Sequence, residues 1–189
     1  MSCSSPCAAP ERRRWLGAAA LLAAWPGAWG QTALPPEVSL ELPGARLQGQ
    51  GTLRYFGLRV YDALLWTNTS LAAAAASATP LALELRYARR LRGPLIAERS
   101  IQEMRRQTEI DDARARRWLD ALSRLFPDVD EGDRITGVHR PGEAARFHVN
   151  GRFVGELRDA DFARLFFGIW LSPQTSEPQL RAALLGGAP

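Results

Sequence analysis

The chain sets 24 basic side chains, all arginine, against 20 acids over 189 residues, so its net charge of +4 is small for its length. Beyond residue 30 the remaining 21 arginines are interleaved with 19 acids and form no basic stripe, which argues against nucleic acid as a partner. Apolar residues make up 46% of the chain, with Trp, Phe and Tyr well represented, so there is material for one core of ordinary size and no bias toward disorder.

The N-terminal stretch carries the sharpest pattern. Arg12-Arg13-Arg14 precedes an apolar run from Trp15 to Trp25 that Pro26 breaks, and Ala28 and Gly30 are small residues at signal-peptidase spacing. This predicts an export signal over 1–30, cut between Gly30 and Gln31, by the general or the twin-arginine route. The mature chain, 31–189, is then periplasmic or secreted. The run falls short of the roughly 20 apolar residues a membrane helix needs, and no later segment is longer, so the mature chain is expected to have no membrane span. Cys3 and Cys7 both precede the run, leaving 31–189 without a thiol or a disulfide.

After a Pro-containing lead-in, Val38 to Leu42 alternates apolar and polar residues and predicts a half-buried strand closed by Pro43-Gly44. Ala45 to Gln50 reads as a second strand or a hairpin arm. Thr52 to Trp66 reads as one long strand, bent or bulged at Gly57, with Tyr55, Phe56, Tyr61 and Trp66 turned to the core. Ser70 begins an alanine run that predicts a turn or two of helix to Ala78. Leu81 to Tyr87 alternates again as a strand. Pro94 starts a helix to about Gln107, with Ala97, Ile101 and Met104 on one side. A second helix, capped by Asp111 or Asp112 and stopped by Pro127, aligns Ala115, Trp118, Leu122 and Phe126 on one face. Arg134 to Val138 is a strand. Ala144 to Val149 and Arg152 to Leu157 form a hairpin about Asn150-Gly151. Asp159 caps a helix burying Phe162, Leu165, Phe166 and Ile169, and Ser176 with Gln179 makes a capping box for the last helix, which ends at Gly186. Strands, helices, strands and helices in this order predict an α+β fold, a large antiparallel sheet covered on one face by helices.

Motifs for chemistry are sparse. Asp128 to Asp133 begins like a calcium loop but has Asp133 and His139 where the loop needs glycine and glutamate, so it reads as a solvated turn. His139 and His148 have no zinc-ligand spacing, and His148 suits a cross-strand contact. There is no nucleophile elbow and no phosphate-cradling glycine loop, and no cofactor is expected.

The stretch Gly51-Thr52-Leu53-Arg54-Tyr55-Phe56-Gly57-Leu58-Arg59-Val60-Tyr61-Asp62-Ala63 resembles the long strand motif of the chalcone isomerase-like family. Pro127-Asp128-Val129, Gly132-Asp133, Asn150-Gly151, Phe166 to Leu171 and Leu180-Arg181 resemble its bacterial, exported branch in the same order. The resemblance implies an open-faced β-sandwich, a large antiparallel sheet under a helical layer with a ligand cleft between them. It places the family's catalytic threonine at Phe56, and its tyrosine, lysine and asparagine at Ile96, Arg99 and Glu103; the preceding strand's arginine corresponds to Arg46. Without the hydroxyl pair no donor is evident for a developing enolate, so chalcone isomerisation is not expected. Non-catalytic members bind fatty acids through an arginine, which implies a small amphipathic carboxylate as the partner, with Arg46, Phe56, Tyr61, Ile96, Arg99 and Glu103 as the binding set. The alternatives are an isomerase or lyase working through Arg99, Glu103 and Tyr61, and a periplasmic structural or interaction domain.

Overall fold

Twelve short elements follow one another between Pro36 and Leu184 in a computed structural model that describes Met1, residues 32–69 and residues 76–187. The export signal, its cleavage point and the Ser70 cap lie outside the described residues. Six strands, β1 (Arg46–Tyr55), β2 (Leu58–Thr67), β3 (Leu81–Tyr87), β4 (Arg134–Arg140), β5 (Ala144–Val149) and β6 (Arg152–Leu157), form one antiparallel sheet in sequence order. Helices α2 (Gly93–Arg105), α3 (Asp112–Leu125), α4 (Ala160–Leu171) and α5 (Pro178–Leu184) supply the residues that pack with the sheet's inner face into the main core. The α+β architecture expected from the order of elements is the one observed.

Two elements differ from the sequence reading. Residues 38–42 are not a strand: Pro36–Glu41 is a helix, α1. Proline suits its first turn, and the burial pattern has a helical period, with Val38 and Leu42 buried while Leu40 is 83% exposed. Strand alternation would have put all three on one side. Instead α1 covers the outer face, where Val38, Leu42 and Ala45 form a second small core with Leu64, Trp66, Ala82 and Val138. Likewise, Thr52 to Trp66 is not one bent strand. Phe56 and Gly57, at φ 48° and 77°, form a two-residue hairpin turn joining β1 to β2, with Tyr55 opposite Leu58. Tyr55 and Phe56 are therefore exposed at a tip rather than buried.

The last helix is also capped otherwise than expected. Glu177 is its N-cap without a side-chain cap bond, Pro178 begins it, and the Thr175 hydroxyl accepts from the Glu177 amide at 3.1 Å. The caps of the longer helices do follow the sequence: Asp111 accepts from the Arg114 amide and Asp159 from the Phe162 amide. In the 128–133 turn Asp128 accepts from the Gly93 amide at 2.9 Å and Asp133 from the Asp130 amide at 2.8 Å, so these carboxylates fix the turn and the start of α2. Among the described residues no helix is long and apolar enough to cross a membrane.

The outer face carries the buried charge. Glu37 accepts from Arg134 and from Thr136, each at 3.1 Å, and Glu41 pairs with Arg140 at 2.9 Å and Arg146 at 3.1 Å. Glu84, 0% exposed, takes the Trp66 indole N–H at 3.1 Å and Arg86 at 2.7 Å. Each of these three carboxylates thus has donors, the condition under which burial of charge is tolerated. His148 meets Phe153 across the β5–β6 pair, ring edge to face. His139, on the inner face, lies against the Phe167 ring with its Nδ1 at 3.3 Å from the Thr79 carbonyl oxygen.

Burial lowers the pKa of His139 and of His148 below the ordinary histidine value; at His148 Glu41 and Glu37 oppose the shift and Arg146 reinforces it. The unfolded chain therefore binds more protons than the folded one, and the histidine contribution is full above the unfolded value, about 6.5, and lost as pH falls below it. Thermal denaturation of His139→Gln between pH 7 and pH 5 should show a shallower loss of stability than wild type. An identical slope would mean His139 does not titrate on unfolding.

Candidate functional site

Inner-face side chains run in rows across the sheet, because antiparallel register sets every second residue on that side: Ala63, Leu85 and Ile135 in one, Leu65, Leu83, Gly137 and Phe147 in the next. Opposite them, α4 brings Phe162, Phe166, Phe167 and Trp170; Phe162 stacks on Phe166, Phe166 meets Phe167 and Trp170 edge to face, and Phe147 meets Phe162, Phe166 and Phe126 edge to face. By contrast, α2 packs principally on α3 and α4. Beneath it lies a cavity of about 350 Å³.

Its floor and far wall are apolar: Leu53, Leu83, Leu85, Ile135 and Gly137 from the sheet, with Phe126, Phe147, Phe166 and Phe167 closing the end. Its roof is one stripe of α2, Ile96, Arg99, Ser100 and Glu103, at the three-and-four spacing of a single helix face. Tyr55, Val60, Arg89, Leu95, Ser176 and Glu177 also line it.

The polar groups divide by commitment. Arg99 pairs with Glu103 one turn on at 2.6 Å, and Arg106 approaches the other carboxylate oxygen at 3.5 Å. Glu103 is buried, so this pair is largely neutralised within the roof. The Ser100 hydroxyl donates to the Ile96 carbonyl at 2.8 Å. The Tyr61 hydroxyl accepts from the Trp170 indole N–H at 2.9 Å, and its own proton remains for a group in the cavity. Burial holds the Tyr61 phenol far above its ordinary pKa against the opposing indole bond of Trp170, with Glu177 and Glu103 adding to the shift and Arg99 opposing it, so it is a donor and not a base. Arg89 has no acidic partner within ion-pair distance among the described residues.

Of the six residues singled out from the sequence, the fold brings Tyr61, Ile96, Arg99 and Glu103 to this cavity. It does not bring Arg46 or Phe56 there. Arg46 is exposed at the start of β1, opposite Thr67, and Phe56 is at the tip of the hairpin that begins at the other end of that strand. Sequence reasoning passed over Arg89, which looks like any surface arginine until Tyr87 is paired with Tyr61 and the Ala88 amide is bonded to Val60. It also passed over Trp170, although the stretch containing it had been matched to a family motif.

A chalcone isomerase-like family model matches residues 29–186. An uncharacterized protein of Haemophilus influenzae is 29% identical over 107 residues, covering 57% of this chain and 52% of that protein, so the chain spans about half the length of the curated relative it matches. The crystal structure of a fatty-acid binding protein from Arabidopsis thaliana superimposes with a TM-score of 0.58 at 14% identity, over 76% of this chain and 87% of that one, a likeness of fold.

Proposed function

This chain belongs to the chalcone isomerase-like family, and from that premise we propose that it binds a small amphipathic carboxylate, of the fatty-acid kind, between sheet and helices without catalysing chalcone isomerisation. The observation that carries the reading is the cavity itself: about 350 Å³, apolar in its depth, with an uncommitted arginine and a phenol donor in its lining. A volume near the lower end of the ~300–1000 Å³ typical of ligand pockets suits a medium-length chain better than a long one. The acyl chain lies over Leu83, Leu85 and Ile135 toward the phenylalanines, and the carboxylate meets Arg89 and the Tyr61 hydroxyl. Arg99 and Glu103 act as a neutral pair that shapes the roof, in contact with the ligand but not as its main anchor. The similar fold of a plant fatty-acid binding protein supports this reading.

An isomerase or lyase using Arg99, Glu103 and Tyr61 would draw on the same cluster, since the three line one cavity. It is the weaker reading, because Glu103 is held by Arg99 through one oxygen and approached by Arg106 at the other, and Tyr61 holds its proton tightly. We also propose that the protein is exported and works in the periplasm or outside the cell, on the strength of the arginine, apolar and small-residue pattern before Gln31.

Titration with a fluorescent medium-chain fatty acid tests the ligand. Arg89→Ala should weaken binding by about 1–2 kcal/mol, the range of a charge-assisted hydrogen bond discounted for exposure. Ile135→Phe, which fills the floor, should abolish binding while the fold persists. Arg46→Ala should bind as wild type does. Equal affinity across all four proteins would remove the cavity as the site. N-terminal sequencing of the protein recovered from its own cells should begin at or near Gln31, and a chain retaining Met1 in the cytoplasm would overturn export.

A further inference from the structure

The two tight hairpins of this sheet use the same turn with different residues. At the β5–β6 turn Asn150 and Gly151 take φ 50° and 83°, and this pair is what such a turn prefers. At the β1–β2 turn Phe56 and Gly57 take φ 48° and 77°. A bulky residue in the left-handed region is unfavourable, and Phe56 gains nothing from burial in return, being 88% exposed. Its neighbours repeat the anomaly, with Tyr55 at 63% and Leu58 at 58% exposure, Tyr55 packed only edge-on against the Phe56 ring. Neither turn geometry nor the core accounts for three large apolar side chains here.

Their surroundings say what would. The Ala88 amide bonds to the Val60 carbonyl, which sets Ala88 and the adjoining Arg89 beside the base of the hairpin, before Leu91 turns to pair with Val129. Arg59 and Arg90 are matched by Asp62 and Asp130, while Arg54, Arg89 and Arg92 have no acidic partner within ion-pair distance among the described residues. Tyr55 and Arg89 also line the cavity, so the apolar tip adjoins the cavity's opening. An aromatic and aliphatic tip flanked by the unmatched Arg54 and Arg89 complements an interface with apolar depth below and negative charge at its surface.

We propose that the β1–β2 tip is a docking surface for an anionic lipid bilayer, with Phe56, Tyr55 and Leu58 entering the headgroup region and Arg54 meeting lipid phosphates. The cavity then opens at the membrane surface, and an acyl ligand passes between bilayer and protein with little exposure to water. That purpose rests on the ligand reading above; the docking surface itself does not.

Co-sedimentation of the protein, as purified from its cells with its N-terminus defined, tests this with phosphatidylglycerol-containing vesicles and with pure phosphatidylcholine. Wild type should partition at least fivefold more onto the anionic vesicles, and amides of 54–59 should gain hydrogen-exchange protection only there. Phe56→Asn should lose most of that partitioning while keeping or raising its melting temperature, since asparagine fits the turn. Arg54→Gln should reduce the anionic preference. Equal partitioning of wild type and Phe56→Asn, or protection absent from 54–59, would overturn the proposal, and a soluble protein retained by the wild-type tip without vesicles would assign it to a protein partner instead. Fatty-acid affinity in solution should be the same for Phe56→Asn and wild type. If wild type docks but binds no fatty acid, the ligand reading fails and the docking surface stands.

Discussion

A helix fixed at both ends and standing off the sheet between them is what the cavity depends on. At its N-terminus α2 begins on Gly93, where a Cβ would come 2.1 Å from the Phe126 carbonyl oxygen and whose amide donates to Asp128. Just past its C-terminus the Gln107 amide donates to the Leu165 carbonyl at 2.7 Å and fills the space above Gly168, where a Cβ would lie 2.0 Å from Gln107 Oε1. The first contact is to backbone and the second to the Gln107 side chain; each uses the space of a missing Cβ, and moving either end of α2 costs a hydrogen bond. Between them α2 packs principally on α3 and α4. The gap beneath is a consequence of where the roof is fastened.

The two faces of the sheet share the work unequally. Carboxylates that need arginine partners sit on the outer side, Glu37 and Glu41 on α1 itself and Glu84 on β3. Removing one partner there would strand a buried charge, which is far more costly than loss of a surface pair. The inner face is left apolar, except for His139 and the tyrosines. Polar groups that line the cavity come mainly from α2 and from residues near the Tyr61–Tyr87 pair, so the cavity has a polar side and an apolar end. That asymmetry is what an amphipathic ligand matches.

Much of this was legible in the residues. Strands β3 to β6 announce themselves by alternation and by Asn150-Gly151, and α3 and α4 by Asp111, Asp159 and their apolar stripes. The residues 38–42 misled because five residues cannot separate a period of 2 from one of 3.6 when charged and apolar side chains are both turned inward, as Glu37, Val38, Glu41 and Leu42 are. The hairpin at Phe56 misled because its turn uses a residue that turns avoid. At the site, the spacing of Ile96, Arg99, Ser100 and Glu103 could be read as one helix face, but not which face looked inward. Arg89 was invisible for a plainer reason: its place at the cavity comes from pairing between β2 and β3, a long-range fact. Arg46 was drawn in by resemblance and lies at the far end of the strand.

The most direct measurement is a crystal structure of the protein grown with a medium-chain fatty acid. The account expects an acyl chain over Leu83 and Ile135, its end against Phe147 and Phe166, and its carboxylate within hydrogen-bond distance of Arg89 and the Tyr61 hydroxyl. A cavity still empty at saturating acid, or an acid bound elsewhere with Arg89 in solvent, would contradict it.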